Sequence, residues 1–350
     1  MRNGRFRHGL IKWASALLRG YFRYAPLGAG KQAVWHHVVR PLLRTGAELE
    51  ARTQFGARMM VRFPDTIQSY IYFFGIWEPA ITAYLASALQ PGDTMIDIGA
   101  NVGYDSLLAA HCVGPAGRVF AIEASPVLFG LLRRNLALNN TSQVIPSHVA
   151  VCETAGDVPV FLHSGSNLGG TTIVPAMAKR RDVRMEATVP GRRLADIVPE
   201  EAVLSARLIK IDVEGAEWLV IRGFAELLPR LSPRTELLIE VSAEGLRDHG
   251  CTVQQFLGQF AAAGFAPFLI QNRYSVDMYL ELAPVVLEPL TDTDFDQVDI
   301  LFRRGPPNGG DPPSPDRHGR ACPGHPRTGG CTASAAVPPT GGGWPGRARP

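Results

Sequence analysis

The stretch Thr94-Met-Ile-Asp-Ile-Gly-Ala-Asn-Val-Gly-Tyr104 constrains this chain more than any other. An apolar run (Met95, Ile96, Ile98) closes around one acid, Asp97, and Gly99, Asn101 and Gly103 follow. Apolar residues then run from Ser106 to Ala110. This order reads as buried strand, tight glycine turn and helix, because glycine permits positive φ and close approach of the backbone to a ligand. About twenty residues further on, Val119-Phe-Ala-Ile122 ends at Glu123, the distance at which a strand-end carboxylate holds the two hydroxyls of a ribose. The chain reads as a binder of a nucleoside-containing cofactor.

The glycine spacing argues against nicotinamide. The dinucleotide fingerprint G-x-G-x-x-G seats a pyrophosphate on a helix N-terminus. Here the pattern is D-x-G-x-N-x-G, with an acid in the strand, which suits a ligand with a cationic end such as an aminocarboxypropyl sulfonium. It resembles motif I of the class I S-adenosylmethionine-dependent methyltransferases. On this reading Asp97, Gly99, Asn101 and Gly103 line the methionine end of S-adenosyl-L-methionine, and Glu123 holds its ribose. A second block, Leu208-Ile-Lys-Ile-Asp-Val-Glu-Gly-Ala-Glu217, is another apolar strand that ends in acids and enters a helix through Gly215. Ligands of open α/β sheets sit outside the carboxyl ends of the strands, so Asp212 and Glu214 are expected to face the same crevice. Glu217 reads equally well as an acid favoured by the start of a helix.

Three blocks in this order, IDIGANVGYDSLLAA, RVFAIEASPVLFGLLRRNLALNN and LIKIDVEGAEWLVIRGF, resemble the FkbM family of methyltransferases. HVAVCETAGDVPVFL, the upstream Gly75-Ile-Trp-Glu-Pro79 and the later Leu237-Leu-Ile-Glu-Val241 extend the resemblance over roughly residues 60 to 303. The resemblance implies that Ser125 and Ala150 neighbour the adenine and that Glu78 reaches the cofactor's amino group. Glu78 is also accounted for as an acid at a helix start.

Apolar runs and helical patterns alternate through the middle of the chain. That implies an α/β fold, a doubly wound, mostly parallel, seven-stranded Rossmann-like sheet. A hairpin is expected over Leu49 to Phe63 with Gly56 at its turn, a helix over Glu78 to Gln90, single strands over 144–151 and 158–163, and a helix over 216–228. Three parts follow: a basic N-terminal extension (1–62), a methyltransferase domain (63–304) and a Gly/Pro-rich tail (305–350) expected to be disordered. His318, Cys322, His325 and Cys331 in that tail lack a metal-binding context.

A chain of 350 residues that is 46% hydrophobic supports a large core. A net charge of +3 is too mild to argue for nucleic acid as a partner. Five cysteines, an odd number without metal-type spacing, suit a reducing cytosol. No apolar run reaches the ~18 residues of a membrane span. The expected location is cytoplasmic, with one qualification. Leu10, Ile11, Trp13, Leu17, Leu18, Tyr21 and Phe22 recur at helical spacing among Arg2, Arg5, Arg7, Lys12, Arg19 and Arg23. Such a basic amphipathic helix either packs on the domain or makes a peripheral membrane contact.

Methyl transfer to a hydroxyl needs an aligned acceptor and a base for the departing proton. Asp212 and Glu214 are the candidates, with Glu240, His148 and His163 in reserve. The same acids could instead hold Mg²⁺, and the sequence leaves base and metal open. The loop His163–Thr172 is placed to cover an acceptor. The expected function is O-methylation of a hydroxyl on a sugar, glycolipid or other small molecule. Two alternatives are a nicotinamide-dependent oxidoreductase and a non-catalytic membrane-associated binding protein.

Overall fold

The computed structural model describes residues 2–25, 30–44, 46–163, 167–181, 183–272, 279 and 285–305. The tail beyond Gly305, with its histidines and cysteines, lies outside the described residues, as do 164–166 of the acceptor loop.

The hairpin forms as β1 (Glu48–Arg52) and β2 (Arg58–Arg62), with Gly56 at φ 90 in its turn. The remaining strands are β3 (Thr94–Ile98), β4 (Arg118–Glu123), β5 (Val144–His148), β6 (Ala150–Val151), β7 (Gly156–Leu162), β8 (Arg184–Arg192), β9 (Leu208–Ile211), β10 (Glu236–Ser242), β11 (Phe265–Ile270), β12 (Leu287–Pro289) and β13 (Gln297–Arg304). Eight of them make the main sheet, in the order β12-β11-β13-β10-β9-β3-β4-β5. The five strands from β10 to β5 are mutually parallel, and β13 runs antiparallel between β10 and β11. The seven expected strands therefore become eight. The addition, β12, is three residues long, pairs only at the β11 edge and is mostly exposed, so it carries no apolar pattern to read.

β3 and β9 are buried along almost their whole length, as strands covered by helices on both faces must be. One apolar layer joins β3 and β4 to the helices Pro79–Ala88, Tyr104–Val113 and Pro126–Asn139 and to the hairpin. It also takes in Phe22, Trp35 and Val39 of the N-terminal extension. The other layer packs β9, β10 and β13 on Phe256, Phe260 and Phe224.

Three local readings change. The expected strand 144–151 is broken at Val149: β5 belongs to the main sheet, whereas β6 pairs with β8 in a separate three-stranded sheet, β6-β8-β7. The expected helix 216–228 stops at Arg222, and a 3-10 run, Ala225–Arg230, follows it. Gly223 marks the break, where a Cβ would stand 2.4 Å from the Cys152 carbonyl oxygen. A helix at Thr66–Phe74 has no counterpart in the sequence reading. Residues 68–74 are all buried, so it lacks the polar face by which an amphipathic helix is recognised.

Candidate active site

The carboxyl ends of β3, β4, β9 and β10 open into a cavity of about 570 Å³, a normal size for a small-molecule site. Glu78, Gly99, Asn101, Glu123, Ala150, Asp212, Glu214, Glu240 and His163 all line it. Residues more than 150 positions apart in the chain are thus brought together because parallel strands end on one edge.

The cavity concentrates backbone strain. Among the described residues four non-glycine positions have positive φ: Glu78 (42), Asn101 (51), Asn140 (52) and Glu214 (52). All but Asn140, a helix C-cap, line the cavity. Each such conformation costs on the order of 1–3 kcal/mol and persists where the surrounding structure enforces it. The glycines act on the protein itself. A Cβ on Gly99 would lie 1.8 Å from the Asp212 carbonyl oxygen, and one on Gly103 would lie 2.6 Å from Leu132. Gly99 lets the turns after β3 and β9 meet. Gly103 lets the helix Pro126–Asn139 pack, so it sits behind the cavity wall.

The β3–β4 side is built by backbone. Glu123 accepts from the N–H groups of Asn101 and Ser125, both at 2.8 Å. The carboxylate is thereby fixed with lone pairs left for hydroxyl donors. Burial pushes its pKa up to about 7, against the pull of those N–H groups. Ser125 is fully buried and does not line the cavity. Its Oγ accepts from Leu128 N–H at the helix start and donates to Glu186.

Asp97 also lies beneath the cavity floor. Ser106 Oγ donates to it at 2.5 Å, and burial raises it to about 6. Its neighbour explains why an acid survives there. Asp97 is the register partner of Lys210 across β3 and β9, and the buried Lys210 ammonium donates to Asp212 (2.8 Å) and faces Asp105 (3.2 Å). Burial opposes that charge, but Asp212, Asp105, Asp97 and Glu78 outweigh it and hold the Lys210 pKa well above its usual value. The sequence reading passed over Lys210. The signal was present as a lone cation inside the apolar run Leu208–Ile211, which a buried strand accepts only with partners.

The β9–β10 side is built by side chains. Burial, then Asp212, raises Glu214 to about 7, while Arg181 donates to it at 2.9 Å. Thr172 Oγ1 donates to the Glu214 carbonyl at 2.7 Å. Glu240 stands in register with Asp299 across β10 and β13. Burial and the surrounding acids raise Glu240 well above the carboxylate range and Asp299 to about 7. Asp212, Glu214 and Glu240 place one oxygen each within 4.8 Å of one another, yet Lys210 and Arg181 already neutralise the first two. Glu217 braces the turn by accepting from Gly215 N–H. His148 is exposed, stacked on Phe129 and outside the cavity. His163, Asn167, Thr171 and Thr172 extend one wall.

Among the described lining residues, five are carboxylic (Glu78, Glu123, Asp212, Glu214, Glu240) and one is a guanidinium, Arg181. Asp105 occupies the first turn of the helix Tyr104–Val113, where a dinucleotide's pyrophosphate would sit. This lining opposes an anionic dinucleotide and fits a sulfonium with an ammonium group. The fixed Glu123 carboxylate fits its ribose.

Residues 97–265 match the family model described as the methyltransferase FkbM domain. Over those residues the chain is similar to the FkbM methyltransferases. Methyltransferase sdnD of Sordaria araneosa is 32% identical over 170 residues, 41% of this chain and 64% of its own length. The 31-O-demethyl-FK506 methyltransferase FkbM of Streptomyces tacrolimicus is 29% identical over 196 residues, 47% of this chain and 75% of its own. The alignment thus spans just under two-thirds of the first relative. A solved methyltransferase FkbM from Methylobacillus flagellatus KT shows 16% identity and a TM-score of 0.34, covering 68% of this chain and 55% of that one. The match to the FkbM domain agrees with the ligand that this lining fits.

Proposed function

We propose that the protein is an S-adenosylmethionine-dependent methyltransferase of the FkbM type that methylates a hydroxyl of a sugar, glycolipid or other hydroxylated small molecule, with Asp212 and Glu214 handling the acceptor proton. The convergence of the strained Glu78, Asn101 and Glu214 on one acid-lined cavity carries this reading. When bound, S-adenosylmethionine supplies a methyl group already activated by the sulfonium charge. The chain's own tasks are then alignment, exclusion of water and removal of one proton.

Glu123 would hold the ribose, and Gly99, Asn101 and Glu78 the methionine end. Ala150, at the junction of the two sheets, would flank the adenine. Glu214 titrates near neutral pH, where a base is most effective, and Asp212 beside it would orient the hydroxyl. The acceptor wall supports a polyhydroxy ligand, because His163, Asn167, Thr171, Thr172 and Gln297 offer polar groups there. One relative's name describes an O-demethyl substrate, in keeping with oxygen as the acceptor atom.

Calorimetric titration with S-adenosylmethionine, S-adenosylhomocysteine and NAD, each with and without Mg²⁺, tests the cofactor half of this reading. Binding of the first two alone is expected. A screen of glycosides and hydroxylated natural products for the added methyl mass then tests the acceptor half. Methylation confined to carboxyl, nitrogen or carbon atoms would overturn it.

A further inference from the structure

Over residues 13–24 the helix Arg2–Tyr24 has two unlike faces. One docks on the domain. Ser15 and Phe22 are buried there, Arg19 lies over the Tyr72 ring, and Arg23 donates to the carbonyls of Ile71, Tyr72 and Phe73 at the end of the helix Thr66–Phe74. At 3.6 residues per turn, Trp13, Leu17 and Tyr24 fall on the opposite side. They are 66%, 56% and 82% exposed, and Val38 on the following helical segment is 48% exposed. The docked face already anchors the helix, so its packing does not require these apolar residues. An open aromatic and aliphatic stripe of this kind marks a contact with something outside the molecule.

We propose that this stripe seats the protein on an anionic membrane surface, with Trp13, Leu17 and Tyr24 in the headgroup boundary. Charge selects this occupant over a second copy of the chain. Residues 1–47 carry nine Arg and Lys and no Asp or Glu; Arg19, Arg23 and Lys31 are turned to the protein, which leaves Arg2, Arg5, Arg7, Lys12, Arg40 and Arg44 with no acid among them. Two copies meeting here would oppose like charges, whereas anionic lipid complements them. Trp and Tyr favour the lipid–water boundary, and no helix among the described residues is long and apolar enough to cross a membrane. The receiving helix Thr66–Phe74 also lends Thr66 and Ile67 to the cavity wall, so the contact would carry the cavity close to lipid.

Co-sedimentation of the full chain with phosphatidylcholine vesicles, with and without phosphatidylserine, tests this independently of any enzymatic activity. Pelleting with the anionic vesicles and release by high salt are expected. Replacing Trp13→Ser and Leu17→Ser together should lower partitioning by about tenfold or more. Both side chains point to solvent, and circular dichroism checks that the helix survives. Tyr24→Ser reads the same stripe at a separate position. Three results would overturn the proposal: no pelleting with either vesicle, equal pelleting with both, or a concentration-dependent dimer in analytical ultracentrifugation that the double variant abolishes.

Discussion

The two halves of the cavity are made by different means. On the β3–β4 side one carboxylate, Glu123, is held by main-chain N–H groups, and its position follows from a turn that only glycine can form at Gly99. On the β9–β10 side four acids, Asp212, Glu214, Glu240 and Asp299, crowd together, and Lys210 and Arg181 pair with the first two through side-chain ion pairs. Backbone sites recognise a fixed ligand and tolerate little change. Side-chain networks tune proton affinity, and can be retuned by single substitutions. That division suits an enzyme with a constant cofactor and a variable acceptor.

Substitutions can separate the two halves. Glu214→Gln is expected to have the largest effect, a loss of turnover of roughly 10²–10⁴-fold with cofactor affinity nearly kept. Single-turnover kinetics beside calorimetry reads both quantities, and a parallel fall in the two would mean that the halves act as one. Lys210→Met strikes the seam between them. It strands Asp97, Asp105 and Asp212 without their cation, and should lower unfolding free energy in urea by about 3–5 kcal/mol. Glu123→Gln removes a charged acceptor and should weaken S-adenosylhomocysteine binding by roughly ten- to a hundredfold, since a hydrogen bond to a charged group contributes about 1.5–3 kcal/mol. Arg181→Met frees Glu214 on the acceptor side alone. It should cost about tenfold in kcat and shift the pH–rate profile, with little change in melting temperature because the pair is partly exposed.

Acidity offers a broader comparison. Burial raises Asp97 to about 6, Glu123, Glu214 and Asp299 to about 7, and Glu217 to about 8. In the unfolded chain these groups titrate near 4. Between those limits the folded chain holds more protons than the unfolded one, so stability falls as pH rises from about 4 to about 8. Thermal melting of the ligand-free protein should show a lower Tm at the alkaline end of that window. A Tm that climbed across it would mean that the acid cluster is compensated by cations throughout.

Legibility in the sequence follows the same division. Gly99, Asn101 and Glu123 are readable because strand, turn and strand-end acid are local and evenly spaced. Asp97 and Ser125 are readable as residues, but neither lines the cavity. Their side chains turn inward, to Ser106 and to the start of the helix Pro126–Asn139, and sequence spacing does not report side-chain direction. Arg181 and Gln297 reach the cavity from elements with no motif. The register that sets Asp97 beside Lys210, and Glu240 beside Asp299, exists only once the sheet is assembled.

The break at Val149 reaches beyond local geometry. Because β5 and β6 part there, Gly156–Arg192 leaves the main sheet as a self-paired unit, touching the cavity through Val160, His163, Asn167, Thr171, Thr172 and Arg181. That segment nonetheless governs what the main sheet presents: its Arg181 and Thr172 hold Glu214, and its Glu186 holds Ser125 at the start of the helix Pro126–Asn139. One contiguous stretch outside the main sheet thus sets both a wall of the cavity and the charge state of an acid at the end of β9.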